Sequence, residues 1–438
     1  MKKSHILLGF CLMLIGFAST VQAQITEEAT FGKFAITNAK IHTVTDGVIE
    51  NGIVLIEGKK ISFVGTNAKI TADFDRIDAK GKHVYPGFID SGTLLGLKEI
   101  GAVAVTNDQA ELGNINPHVR AFTAINPSSV NIPVTRVNGI TTVISHPVSG
   151  VIAGKATLIN LYGYTPDSMA VVQDAALHVD WPSKAKRGWW DDRDEKERMK
   201  DFNKRIGDHK SFWDKAQYYH EMMTKYEQNP QKYIKPNSDV RYKAMRDVFA
   251  GDLKVMISVD KAEDILESIK WSKDLDGIDV ILSSVQEGYM VAEEIAESRI
   301  PCLVGPVLRT PSRDYVNYQR PYQNAGMLHD AGVMVAIRTG ETENVRNLNF
   351  NAGYAAAYGL GKEEALKAVT INPAKIFGVD DQIGSITAGK IANLFISDGD
   401  PFETLTQIEH LFIEGVKVPL ENRQTQLYDE FIDRADVK

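Results

Sequence analysis

The chain has 438 residues, 43% of them hydrophobic, and 49 lysines and arginines against 57 aspartates and glutamates give a net charge of −8. That is material for one large and one small domain. Without a basic excess an electrostatic nucleic-acid binder is excluded, and no apolar run is long enough for a comfortable membrane span.

The chain begins with Lys2-Lys3, an apolar run from Ile6 to Phe17, and small residues at Val21-Gln22-Ala23. This is the order of a cleavable secretory signal, so residues 1–23 are expected to direct export across the inner membrane, to the periplasm, and then to be removed. Cys11 leaves with that segment. Cys302 is then the single cysteine and no intramolecular disulfide is available. Its apolar setting, Pro301 to Val304, suits a small buried hydrophobe.

Residues 33–84 carry the β-prone runs Ala35-Ile36, Ile41 to Val44, Ile53 to Ile56 and Ile61 to Val64, punctuated by Asp46-Gly47, Asn51-Gly52 and Glu57-Gly58. They predict a small antiparallel sheet with hairpins. A second strand-rich patch, 381–425, holds Gly384-Ser385-Ile386, Asn393 to Ile396 and Leu411 to Gly415. Two short sheets each have a face to bury, and packing them together predicts a composite β-sandwich.

Residues 85–380 alternate apolar strands with amphipathic helices. Tyr85 to Asp90 reads as a buried strand opening into small residues. Val255-Met256-Ile257 precedes a helix from Ala262 to Leu275, Val280-Ile281-Leu282 precedes one from about Gly288 to Glu297, and Met334 to Ile337 leads to one from Ala352 to Tyr358. A further helix around Ala374 is expected to start at Asn372 as cap, with Pro373 in its first turn. The alternation predicts an α/β fold with a (β/α)8 TIM-like barrel. The open doubly wound alternative lacks a Gly-x-Gly-x-x-Gly turn after any strand. Residues 178–250 break the rhythm, with Trp181, Trp189, Trp190 and Trp213 among many charges. They predict a helical excursion packed on the barrel, helical from Phe212 to Tyr226, with Arg187 to Arg205 a solvated charged run.

Several stretches carry a family resemblance. Pro86-Gly87-Phe88-Ile89-Asp90, Asn138 to Val143, the Thr-Ile-Asn-Pro core ending at Pro373, and Gly389-Lys390-x-Ala392-Asn393-Leu394 resemble, in order and spacing, the metal-dependent amidohydrolase superfamily, closest to its imidazolonepropionase-like branch. The resemblance spans Phe34 to Val418 and implies a barrel flanked by a composite β-sandwich. It also implies where a catalytic metal, usually zinc, would be held: by two His after the first strand, a His on the fifth, a His on the sixth and an Asp on the eighth. In this sequence those positions are Gly92, Leu94, Ser258, Ser284 and Gly340. Two serines, a leucine and two glycines supply no imidazole or carboxylate, whereas a hydrolytic metal needs about three protein donors and an open position.

The expectation is therefore an amidohydrolase-fold protein without standard metal-dependent catalysis and without an expected cofactor, an inactive homologue retained for binding or assembly. Its partners would be a small molecule at the barrel mouth, further copies of itself, or an active relative. The alternative is a hydrolase of non-peptide C–N bonds, such as those of cyclic amides, with a rearranged site. Its candidate groups are Asp90, Asp260, Glu287 and Glu341, which lie near strand ends, where barrel enzymes keep reactive side chains. Solvation, or pairing with Arg338 and Lys261, is the competing account of these carboxylates.

Overall fold

The computed structural model describes residues 28–186, 191–311 and 315–432. The signal-like segment, the start of the charged run at Arg187, Trp189 and Trp190 lie outside the described residues.

The first strands are β1 (Lys33–His42), β2 (Val48–Glu57), β3 (Lys60–Gly65), β4 (Asp75–Asp78) and β5 (His83–Pro86). Near the other end run β14 (Leu394–Ser397), β15 (Ile408–Ile413) and β16 (Val416–Val418). The two runs expected before Val44 are one strand, β1, interrupted by a register shift between Ile36 and Ala39 where Asn38 takes a φ of 53°. The N- and C-terminal segments form one hydrogen-bonded sheet, in the order β16-β15-β14-β5-β1-β2-β3 with β4 on β1. The joint is the antiparallel pair β5–β14, with Tyr85 opposite Phe395. The sheet is strongly curled: Phe34 on β1 and Phe412 on β15 stack edge to face at 5.1 Å although two strands separate them in the hydrogen-bonded order. Gly384-Ser385-Ile386, expected as a strand, is a loop.

The barrel strands are β6 (Phe88–Thr93), β7 (Ile140–Ser145), β8 (Ile152–Asn160), β9 (Ala170–Asp180), β10 (Lys254–Val259), β11 (Val280–Ser284), β12 (Cys302–Val304) and β13 (Val335–Ile337). They neighbour one another in chain order. Hydrogen bonds from Gly340 N to Gly92 O and from Leu94 N to Glu341 O, both 2.9 Å, draw the outer edges together into a nearly closed barrel. The strict (β/α)8 alternation needs correction. β8 runs antiparallel to both β7 and β9. Only His146 to Val151 and Leu161 to Met169 connect these three strands, too little chain for the helical crossover that a parallel pair requires.

Other boundaries shift as well. β9 reaches Asp180, so His178 belongs to the barrel and the excursion starts beyond it. Its main element is α1 (Glu195–Gln228), capped by the Asp194 carboxylate accepting from Glu197 N, and it contains the expected helix from Phe212 to Tyr226. Glu195 to Arg205 is the first part of this helix, and most of its charged side chains are exposed. α2 (Ala262–Ser272) ends before Leu275. The stretch after Gly288 is a 3₁₀ turn followed by the short helix Ala292–Ser298, and the helix around Ala352 spans Leu348–Ala355 before a π turn. Asn372 does not cap its helix: Ile371–Ile376 starts after Thr370, and the Asn372 side-chain amide donates to Val335 O on β13 at 2.9 Å.

The excursion's α1 packs on α2 of the barrel's helical layer. Trp213 and His209 of α1 meet Trp271 of α2 at ring distances of 4.9 and 4.8 Å, with Trp181 5.3 Å from Trp271. At the junction of sheet and barrel, Asn393 replaces the family's usual Asp. Its amide donates to Asn160 Oδ1 at 2.9 Å and its oxygen accepts from Glu414 N at 2.8 Å.

Candidate functional site

Along a strand, residues two apart share a face. Ile89, Ile144, Ala156, Ala176, Met256, Ile281, Leu303 and Ala336 form one buried cluster with a member on every barrel strand, which makes it the barrel's inner apolar layer. Two residues further along stand Ser91, His146, His178, Ser258, Ser283, Gly305 and Arg338. Oil thus gives way to polar groups at the C-terminal ends of the strands, where barrel sites are built.

Arg338 dominates this layer. It is 6% exposed and stands just beyond β13. Its Nη1 donates to Ser283 Oγ at 2.5 Å and its Nη2 to His146 Nε2 at 3.0 Å, while Nε has no partner. Guanidinium nitrogens only donate, so His146 Nε2 is the acceptor. Its proton then sits on Nδ1, facing Pro147 O at 3.2 Å. His178 repeats the pattern, with Nδ1 2.7 Å from Pro147 O and Nε2 2.8 Å from Ser258 Oγ. Both imidazoles are neutral: burial holds His178 down at about 4 and drives His146 well below the ordinary histidine range, with His178 and then Arg338 adding repulsion.

Glycine makes room for this guanidinium. A Cβ on Gly92 would sit 2.8 Å from Arg338 Cζ and Nε, and one on Gly305 would fall 2.0 Å from Arg338 O. Burial pulls the Arg338 pKa down, and the charges of Asp90 and then Asp260 oppose that pull. No carboxylate lies within ion-pair distance of Arg338 among the described residues.

Of the implied ligand positions, Gly92 and Gly340 flank the guanidinium, with Gly340 3.4 Å by its notional Cβ from Nη2. Ser258 meets His178. Leu94 is half-buried and takes part through its backbone N–H, at the barrel closure. Ser284 turns aside: Ser283 faces Arg338, while Ser284, at a φ of 73°, directs Oγ toward Gly305 O at 3.4 Å.

The candidate carboxylates are dispersed and mostly engaged. Asp90 is fully buried and accepts from Thr339 Oγ1 at 2.5 Å and from the Thr339 and Gly92 amides at 3.1 Å. Burial raises it to about 6 against those hydrogen bonds. Glu287 accepts from Lys261 Nζ at 3.0 Å and from Ala262 N at 3.2 Å. Glu341 is half-buried and enters the closure through its carbonyl. Asp260 keeps one buried oxygen, Oδ1, without a hydrogen bond.

These residues do not fit a hydrolytic zinc ion. The acceptor nitrogen of each imidazole is already committed, that of His146 to the Arg338 guanidinium. Among the described residues no group of three or more His, Cys, Asp or Glu is placed to hold a metal. Sequence reasoning missed His146, His178 and the role of Arg338. The signal was the +2 offset from the inner apolar layer.

Residues 242–419 match the model of the amidohydrolase family. Two imidazolonepropionases are similar over short stretches. That of Streptomyces avermitilis is 29% identical over 17% of this chain and 18% of its own length, and that of Picrophilus torridus 33% identical over 24% and 27%. The chain thus matches only about a fifth to a quarter of these relatives. The crystal structure of an amidohydrolase from Thermotoga maritima MSB8 superposes with a TM-score of 0.77, at 24% identity, over 89% of this chain and all of the other. Motifs, barrel and matches agree in supporting the amidohydrolase superfamily, with imidazolonepropionases among the similar relatives.

Proposed function

We propose that this protein keeps the amidohydrolase scaffold without metal-dependent hydrolysis and serves in binding or assembly, as a partner of small molecules, of its own copies or of an active relative. One observation carries the proposal: the buried Arg338 guanidinium, bonded to His146 and Ser283 and packed against Gly92, stands where the family's ligands would converge. A guanidinium holds positive charge in place but has no open coordination position for water. The C–N hydrolase alternative finds less support, because Asp90 and Glu287 spend their oxygens on internal partners.

The proposal extends to location and domain plan. Residues 1–23 act as a secretory signal, placing the protein in the periplasm; no described helix is long and apolar enough to cross a membrane. Residues 33–84 and 381–425 form one unit, whose curled sheet acts as a two-layered sandwich around Phe34, Ile56, Leu394 and Phe412. Residues 85–380 form the barrel. Elemental analysis of the purified protein tests the functional claim. Zn, Mn, Fe and Ni are expected far below one equivalent, with no turnover of cyclic amides, dipeptides or lactones. Stoichiometric metal together with chelator-sensitive turnover overturns the proposal.

A further inference from the structure

Beside the Arg338 site a separate cleft opens between the ends of β11 and β12 and the start of α3 (Arg320–Asp330). Ser284 lies in its wall. The cleft is narrow: the centres of water-sized molecules fit in about 20 Å³, within about 380 Å³ of interatomic space that includes the solvent-open mouth. Val304, Pro306 and Pro321 give it apolar sides.

Among the described residues its cations lack ion-pair partners. Arg309 and Arg320 both line the cleft, and neither has a carboxylate within ion-pair distance among the described residues. Arg309 is half-buried; its Nε donates to Thr310 O at 3.3 Å, and Asp260, which bears on it electrostatically, also bears on Arg338. Arg320 lies over the Tyr289 ring at 5.7 Å, and its Nη1 donates to Gln323 Oε1 at 3.1 Å. The acid in the wall, Glu287, is turned to Lys261 and Ala262 N. A desolvated guanidinium without a counter-charge costs free energy that an incoming anion recovers.

The backbone here is also unusual. Ser284 and Val285 take consecutive φ values of 73° and 52°. Left-handed backbone at a β-branched residue is strained and gathers at ligand sites. Asn324, from α3, holds the bend by donating to Val285 O and accepting from Tyr289 N, both at 2.8 Å.

Resting on the binding role proposed above, we infer that this cleft takes the carboxylate of a small organic monoacid between Arg309 and Arg320, with the acid's apolar end against Val304, Pro306 and Pro321. Two planar forks suit a planar carboxylate, and the cleft's narrow apolar walls suit a short aliphatic chain.

Saturation-transfer NMR on the full protein with propionate, and with 1-propanol as the uncharged control, tests this. Propionate is expected to give transfer and propanol none, with R309M and R320M each weakening propionate binding about tenfold. R309K and R320K, checked for folding by circular dichroism, retain charge but not the fork and are expected to fall between. Absence of propionate transfer, equal transfer from propanol, or unchanged binding in R309M and R320M overturns the inference. Metal content measured on the same sample separates the two claims. Metal-free protein that ignores propionate sinks the cleft alone, and metal-loaded protein sinks the wider proposal.

Discussion

Arg338 and a zinc ion both place positive charge inside a barrel, but they differ in what surrounds them. A metal draws in deprotonated donors, whereas a guanidinium needs acceptors and room for a flat fork. The room comes from Gly92, so G92A should cost about 1–3 kcal/mol by crowding the guanidinium. In the R338M background the same change should cost less, with a coupling of at least about 1 kcal/mol in urea denaturation. Additive effects would mean that the two residues do not touch. Residue types alone show that Gly92, Leu94, Ser258, Ser284 and Gly340 carry no imidazole, thiolate or carboxylate. What fills the gap depends on register, because the strand end at Ser283-Ser284 offers two serines and only pairing in three dimensions selects Ser283.

Titration adds a second test at this scale. Burial holds His178 and His209 at about 4 and drives His146 well below its ordinary value of 6.5. Each folded pKa lies below its unfolded one, so the stability these residues contribute is complete above about pH 6.5 and is lost as pH falls toward 4. Asp90 and Asp264, both raised to about 6 by burial, act in the opposite sense and lose stability as pH rises from about 4 to 6. With His42 also held at about 4, the lowered imidazoles outnumber the two raised carboxyls, so stability should fall between pH 6.5 and 4.5. Neither ring nitrogen of His209 has a partner. H209F should therefore change little at pH 7 and remove about 2 kcal/mol of the acid loss, followed by thermal melts across that range. An acid profile identical to the parent's would contradict this.

At the scale of elements, the excursion is held by aromatic packing rather than by its charges. Trp213 is buried against Trp271, His209 and Phe249. W213A should cost about 3–5 kcal/mol and speed hydrogen exchange along α1. Protection unchanged along Glu195–Gln228 would show that the cluster does not anchor the helix. The helical period in Phe212 to Tyr226 was legible because apolar and charged residues alternate by face. β8 was not: Gly154 and Lys155 interrupt its apolar run, and Lys155 is buried through ion pairs to Asp174 and Asp247 that lie 19 and 92 residues away in the chain. Asn372 misled because a side chain suited to capping also suits a strand carbonyl, and only the packed fold decides between them.

Across the whole molecule, the alternation of strand and helix after Val255 made the barrel legible, and the paired β-rich ends made the composite unit legible. Their fusion into one sheet through Tyr85 and Phe395 was not, since nothing local records a partner some three hundred residues away. The architecture matches that of a solved amidohydrolase, and we propose that the buried Arg338 guanidinium stands in place of a metal centre. Anomalous diffraction at the zinc edge, from crystals grown with excess zinc, tests this most directly. The account predicts planar guanidinium density between His146 and Ser283 with no anomalous peak in the barrel. A strong peak there, coordinated by His146 and His178 with Arg338 swung away, would contradict it.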